Sequence, residues 1–103
     1  MGELCALMRI LRDFLFRGEE TYMEKRVAII GVIVEKGGDV ERLNELLHEY
    51  SEYIIGRMGI PYRERGINVI SVAIDAPQDI ISALGGKIGR LEGISSKTVY
   101  SAA

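Results

Sequence analysis

The residues in this chain that could do chemistry gather around one histidine. His48, the only histidine, stands in "LLHEYSEYIIGRMGIPY", residues 46 to 62, with Glu45, Glu49 and Glu52 close by. Positions three and four apart share a helix face, so these side chains could converge on a cation. A solvated acidic helix surface is the stronger reading. Carboxylates dominate exposed helix faces, and a closed transition-metal site wants more His or Cys than one chain supplies here. Asp39, Glu41 and Asp75 read as caps and surface residues.

Nucleophilic catalysis has as little support. Cys5 has no second cysteine with which to form a disulfide or a zinc knuckle. Ser71, Ser82, Ser95 and Ser96 have no G-x-S-x-G elbow around them. With no matched nucleophile, base and orienter, no residue is assigned to catalysis and the chain is expected not to be an enzyme. "LGGKIGRLEG", residues 84 to 93, lacks the G-x-x-x-x-G-K-[ST] spacing, and its glycines interrupt a helix instead of preceding one. Gly85, Gly86 and Gly89 are expected to let that helix pack closely on a sheet or a partner, though Lys87 and Arg90 could attract an anion. No metal and no cofactor is expected.

The elements that carry these residues are legible in turn. "KRVAIIGVIVE", residues 25 to 35, is β-branched and bounded by charges and Gly37-Gly38, so it predicts a buried strand. Asp39 is an N-cap, and Val40, Leu43, Leu47, Tyr50 and Ile54 recur at steps of three and four as a helix stripe. The helix is expected to end near Tyr53, with a strand following through "IIGRMGIPY", because glycine and Pro61 do not sustain a helix. "RERG", residues 63 to 66, is a turn closed by glycine, and "INVISVAID", residues 67 to 75, completes a hairpin. Pro77 falls near the first turn of a second helix whose buried face is Ile80, Leu84, Ile88 and Leu91. Gly93 stops that helix before a last strand, "ISSKTVYSA".

The order is βαββαβ, a ferredoxin-like α+β domain with a four-stranded antiparallel sheet and both helices on one face. Strand one offers Val27, Ile29, Val32 and Val34, and also Ile30 and Ile33, so apolar residues reach both sides. Another subunit is therefore expected on the bare face or an edge, as a homodimer or homotetramer through the sheet.

Length and composition agree with one domain: 103 residues, 48% hydrophobic, 27% charged and a net charge of −2. Neither a basic nucleic-acid surface nor an 18-residue apolar span is present. Residues 1 to 22 form an N-terminal extension before a domain of residues 23 to 103. Leu4, Leu7, Leu11 and Phe14 give the extension helical spacing, while Arg9, Arg12 and Asp13 break a signal-peptide pattern, so a cytoplasmic location is expected. A second reading makes Met23 the start, since Gly18-Glu19-Glu20 fits a purine-rich ribosome-binding string; intact mass from the native host decides between them.

From Met23 to about Ser101 the chain resembles the small family of ACT-like proteins described as iron-only hydrogenase system regulators. "MEKR", "LNELLHEYSEYIIGRMGIPYRE" and "ISALGGKIGRLEGISSKTV" carry the resemblance, most specifically the run Leu84 to Arg90. It implies an ACT-type regulatory domain. The middle stretch also resembles the C-terminal metal-sensing domain of the nickel-responsive repressor. There His48 matches one ligand position, but the other three fall on Gly59, Pro61 and Ile67, which cannot bind nickel, and a DNA-binding ribbon-helix-helix is not matched.

These resemblances place a ligand or partner site near a subunit interface, around the end of the first helix and the hairpin. His48, Gly59, Arg63 and Glu64 are the expected lining residues. The expected partner is a small-molecule effector or a protein, with no direct nucleic-acid or membrane contact. Two alternatives stand beside regulation: an assembly protein of the hydrogenase system, and a small-molecule enzyme.

Overall fold

A computed structural model describes residues 24–102. The expected N-terminal helix, the alternative start at Met23, and Cys5 lie outside the described residues. The observed order is β1 (Lys25–Val34), α1 (Val40–Glu49), a 3-10 turn (Ser51–Tyr53), β2 (Ile54–Tyr62), a second 3-10 turn (Arg63–Arg65), β3 (Ile67–Pro77), α2 (Gln78–Gly89) and β4 (Ile94–Tyr100). The strands form one antiparallel sheet in the order β2-β3-β1-β4, and the α+β architecture is the ferredoxin-like one.

Strand periodicity sorts β1 cleanly. Ala28, Ile30, Val32 and Val34 are buried beneath the helices, and Val27 and Ile29 on the other face are 47% and 49% exposed. The split is therefore even against odd, with Val32 and Val34 joining Ile30, because successive strand residues alternate faces. On β3 the covered residues are Ile70, Val72, Ile74 and Ala76.

α1 starts on Asp39, whose Oδ1 accepts from the Arg42 N–H at 3.1 Å. It is shorter than expected: Tyr50 is its C-cap, and the chain tightens into the 3-10 turn before β2. Its core residues are Leu43, Leu46 and Leu47, whereas Val40, at the first position, is 40% exposed. α2 buries Ile81, Leu84 and Ile88. Ile81 replaces the expected Ile80, which is only partly buried: 80-84-88 and 81-84-88 both fall on one helix face, and the packed rotation of α2 puts Ile81 in the core. Pro77 pairs with Lys25 as the last residue of β3 and caps α2 instead of entering its first turn. Ile30, Leu43, Ile74, Ile81, Leu84 and Ile88 are fully buried, and burying each side chain contributes about 1.5–3 kcal/mol.

The glycine run in α2 does pack closely. A Cβ on Gly85 would lie 3.2 Å from Thr98 Oγ1, and one on Gly89 3.3 Å from Ser96 Oγ. Ser96 Oγ also donates to the Gly85 carbonyl at 2.9 Å, fastening α2 to β4. Gly86 is different, with only the Arg90 guanidinium within reach, at 3.9 Å.

Candidate functional site

α1 ends near the start of β2, and β2 turns back through Arg63–Arg65 into β3. A register shift between Ile54 and Gly56 marks a bulge, where one extra residue changes which side chains face the helices. Ile54 opposes buried Ile74 before the shift. After it, Arg57 opposes Val72 and Gly59 opposes Ile70, so Arg57 and Gly59 lie on the helix side of the sheet. Every residue from Ile55 to Tyr62 is nevertheless exposed. The helices cover β1, β3 and β4 and leave β2 as a ledge.

One contact joins α1 to that ledge. The Arg57 guanidinium donates to Asn44 Oδ1 at 3.2 Å. His48 is one helical turn beyond Asn44, on the same face of α1, and Gly59 is the next residue beyond Arg57 on the same face of β2. β1 and β2 both pair antiparallel to β3, so α1, which connects them, runs back along the sheet against β2, and His48 lies toward the Ile54 end of the bridge while Gly59 lies toward the opposite end. Packing does not demand glycine at 59, since an added Cβ would meet only Ile70 Cγ1, at 3.8 Å. What Gly59 provides is open space on the helix side of β2, two residues beyond the Arg57 guanidinium.

Arg63 and Glu64 occupy the other end of the hairpin. Eight residue steps of β2 separate Ile54 from Tyr62, roughly 26 Å at strand rise. Within one chain the Arg57–Asn44 bridge therefore stands between His48 and Gly59, and Arg63 and Glu64 lie farther still from His48. Glu64 Oε2 accepts from the Tyr62 hydroxyl at 3.2 Å, and Gly66 closes the turn at φ 66°. Sequence reasoning missed Arg57 and Asn44. The signal was a lone basic residue inside an otherwise uncharged strand segment.

The other positions with chemistry are spoken for or apart. Lys87 Nζ donates to Tyr50 Oη at 2.8 Å and lies 5.1 Å from the ring centroid, so its charge ties α2 to the end of α1. Arg42 Nη1 contacts Glu45 Oε2 at 2.7 Å, and that hydrogen bond raises the arginine pKa further. Among the described residues no three of His, Cys, Asp and Glu cluster as metal ligands. A shallow apolar hollow of about 180 Å³, lined by Val27, Ala28, Ile29, Val99, Tyr100 and Ser101, lies at the β1–β4 side of the sheet, away from His48. No helix among the described residues is long and apolar enough to cross a membrane.

Comparison with known proteins places this arrangement in a family. The family model "TM1266-like: Iron-only hydrogenase system regulator, putative" matches residues 26–98. Among solved structures the chain is similar to uncharacterized protein TM1266 from Thermotoga maritima, at 41% sequence identity and a TM-score of 0.71, over 75% of this chain and 98% of that one. No curated protein matches.

Proposed function

The chain belongs to the TM1266-like family of iron-only hydrogenase system regulators, and from that premise we propose that it is a cytoplasmic, non-catalytic ACT-like regulatory domain that works by binding. The bound species is a small-molecule effector, taken up on the ledge between α1 and β2 over Arg57, with His48 toward one end and Gly59 toward the other. Arg63 and Glu64, at the far end of β2, reach such a site across a subunit interface. The domain acts as an oligomer formed through its sheet, and the effector regulates by binding two subunit arrangements with different affinity. Regulation through an effector, without direct operator contact, is supported by the net charge of −2.

The observation that carries this reading is the bare ledge: β2 is exposed at every residue from Ile55 onward, with open space at Gly59 beside the Arg57–Asn44 bridge. A thermal-shift screen of amino acids, nucleotides and divalent metals on the full chain tests it, because a ligand of the native state must raise the melting temperature. A second reading, assembly with a partner protein of the hydrogenase system, is favoured by the apolar residues on the face opposite the helices. An apolar face that persists in the homo-oligomer supports that second reading.

A further inference from the structure

We infer that the helix-free face of the sheet is a twofold interface between two copies of this chain, centred on Ile29 and registered by Asp75 against the partner's Lys97. This rests on the reading above only in taking the protein to act as an oligomer; it does not depend on what the ledge binds.

The pairing register places the face residue by residue. One row across the sheet is Val99, Ile29, Ala73 and Gly56; the next is Lys97, Gly31, Ser71 and Met58; a third is Ser95, Ile33, Val69 and Ile60. Val27 and Asp75 continue it at one end, and Tyr62 and Ile67 at the other. Of the nine exposed large hydrophobics among the described residues, seven stand here: Val27, Ile29, Met58, Ile60, Tyr62, Val69 and Val99. Four strands about 4.8 Å apart and roughly seven residues deep give a plan area of about 450 Å² before side-chain relief is added. That plan falls within the roughly 300–600 Å² of a monomer's largest apolar patch, which is often functional, and side-chain relief brings it closer to the about 800 Å² per partner of a standard interface.

Charge selects the occupant. Lys25, Asp75 and Lys97 are the charged residues on this face of the paired strands, with Lys25 at the extreme end opposite Pro77. Asp75 and Lys97 make no ion pair or side-chain hydrogen bond among the described residues. Asp75 sits beside Val27 on the β3 side, and Lys97 beside Gly31 on the β4 side. The two are separated by two strand spacings and four residue steps, roughly 10 Å by 13 Å, and the midpoint is Ile29. A twofold axis in the interface plane, over Ile29 and perpendicular to the Asp75–Lys97 line, exchanges the two positions. Each Asp75 then faces the partner's Lys97, and Ile29 meets its own counterpart, as an isologous interface requires. The same operation crosses the two sets of strands at about 70°, nearer the orthogonal class of sheet packing than the aligned one.

Sedimentation equilibrium of the full chain without added ligand tests the interface separately from the ledge. The wild type is expected to be dimeric, or a dimer of such dimers, at low micromolar concentration, and Ile29→Glu to abolish this association by placing two carboxylates on the axis. Asp75→Lys and Lys97→Asp are each expected to weaken association about tenfold at low salt. The double variant is expected to restore it, and so is an equimolar mixture of the two single variants, whose heterodimer has opposite charges at both contacts. Circular dichroism of each variant confirms that it folds. A monomeric wild type with the face covered by the chain's own first 22 residues, an association indifferent to Ile29→Glu, or single variants that are not rescued by the swap overturns the inference. Failure of every effector screen leaves it standing.

Discussion

Gly38 and Gly93 meet backbone to backbone. A Cβ on Gly93 would lie 2.8 Å from Gly38 Cα, and a Cβ on Gly38 would lie 3.0 Å from the Gly93 carbonyl oxygen. The contact joins the loop after β1 to the loop before β4, where Glu35 N–H donates to the Gly93 carbonyl at 2.7 Å and Asp39 N–H to the Glu92 carbonyl at 3.2 Å. It fixes the N-terminus of α1, and so the helix that carries His48.

Gly93→Ala is expected to be destabilising. The substitution adds the clash to an alanine at φ 72°, and strain at such a position costs about 1–3 kcal/mol before the contact is counted. Gly37→Ala isolates the backbone part, since Gly37 has φ 85° and no atom within 4 Å of an added Cβ. Urea unfolding of both variants measures the difference, with Gly93→Ala the more damaging.

The glycines of α2 separate in a parallel way. Gly86→Ala is expected to stabilise by about 0.5–1 kcal/mol, the ordinary gain of alanine over glycine inside a helix. Gly85→Ala is expected to gain less or to destabilise, because its Cβ must press on Thr98 Oγ1 at 3.2 Å. Paired thermal melts give the order. Equal effects at the two positions would remove the packing explanation for Gly85.

These contrasts show how far the sequence could be read. β1 and β3 announce themselves through β-branched residues, and Gly66 and Gly93 mark turns that do adopt positive φ. β2 has weak local strand propensity because "IIGRMGIPY" has two glycines and a proline, and what holds it as a strand is its pairing with β3, a tertiary effect that local propensity does not contain. Ile80 and Ile81 are both apolar, so only the packed register of α2 chooses Ile81. At the ledge, His48 and Gly59 were visible through family resemblance. Arg57 was not, because its partner Asn44 lies thirteen residues earlier and is met only through the angle between α1 and the sheet.

Nickel and zinc are expected to leave the melting temperature within about one degree of the apo value, since a metal that binds only the native state must stabilise it. Gly59 and Pro61 stand where a nickel site of the resembled kind has imidazoles, so His48 is left as a single donor. Differential scanning fluorimetry at micromolar metal measures this. A rise of several degrees, lost in His48→Ala, contradicts it.

Asp39→Ala is expected to cost about 1 kcal/mol, through loss of the cap on the Arg42 N–H. Chemical denaturation measures the loss. Asp39→Asn, which keeps the accepting oxygen, is expected to recover most of it.

The α1–β2 ledge is proposed to bind its ligand without transforming it. An added Cβ at Gly59 meets nothing closer than 3.8 Å and the position is exposed, so Gly59→Phe is expected to fold with its ring over the ledge. The decisive measurement is the thermal-shift response of wild type and Gly59→Phe to the same set of amino acids and nucleotides. At least one compound is expected to stabilise the wild type by several degrees, to be recovered chemically unchanged, and to lose its effect in Gly59→Phe. A stabilising compound that acts equally on both proteins, or one that the wild type converts to product, would contradict this proposal.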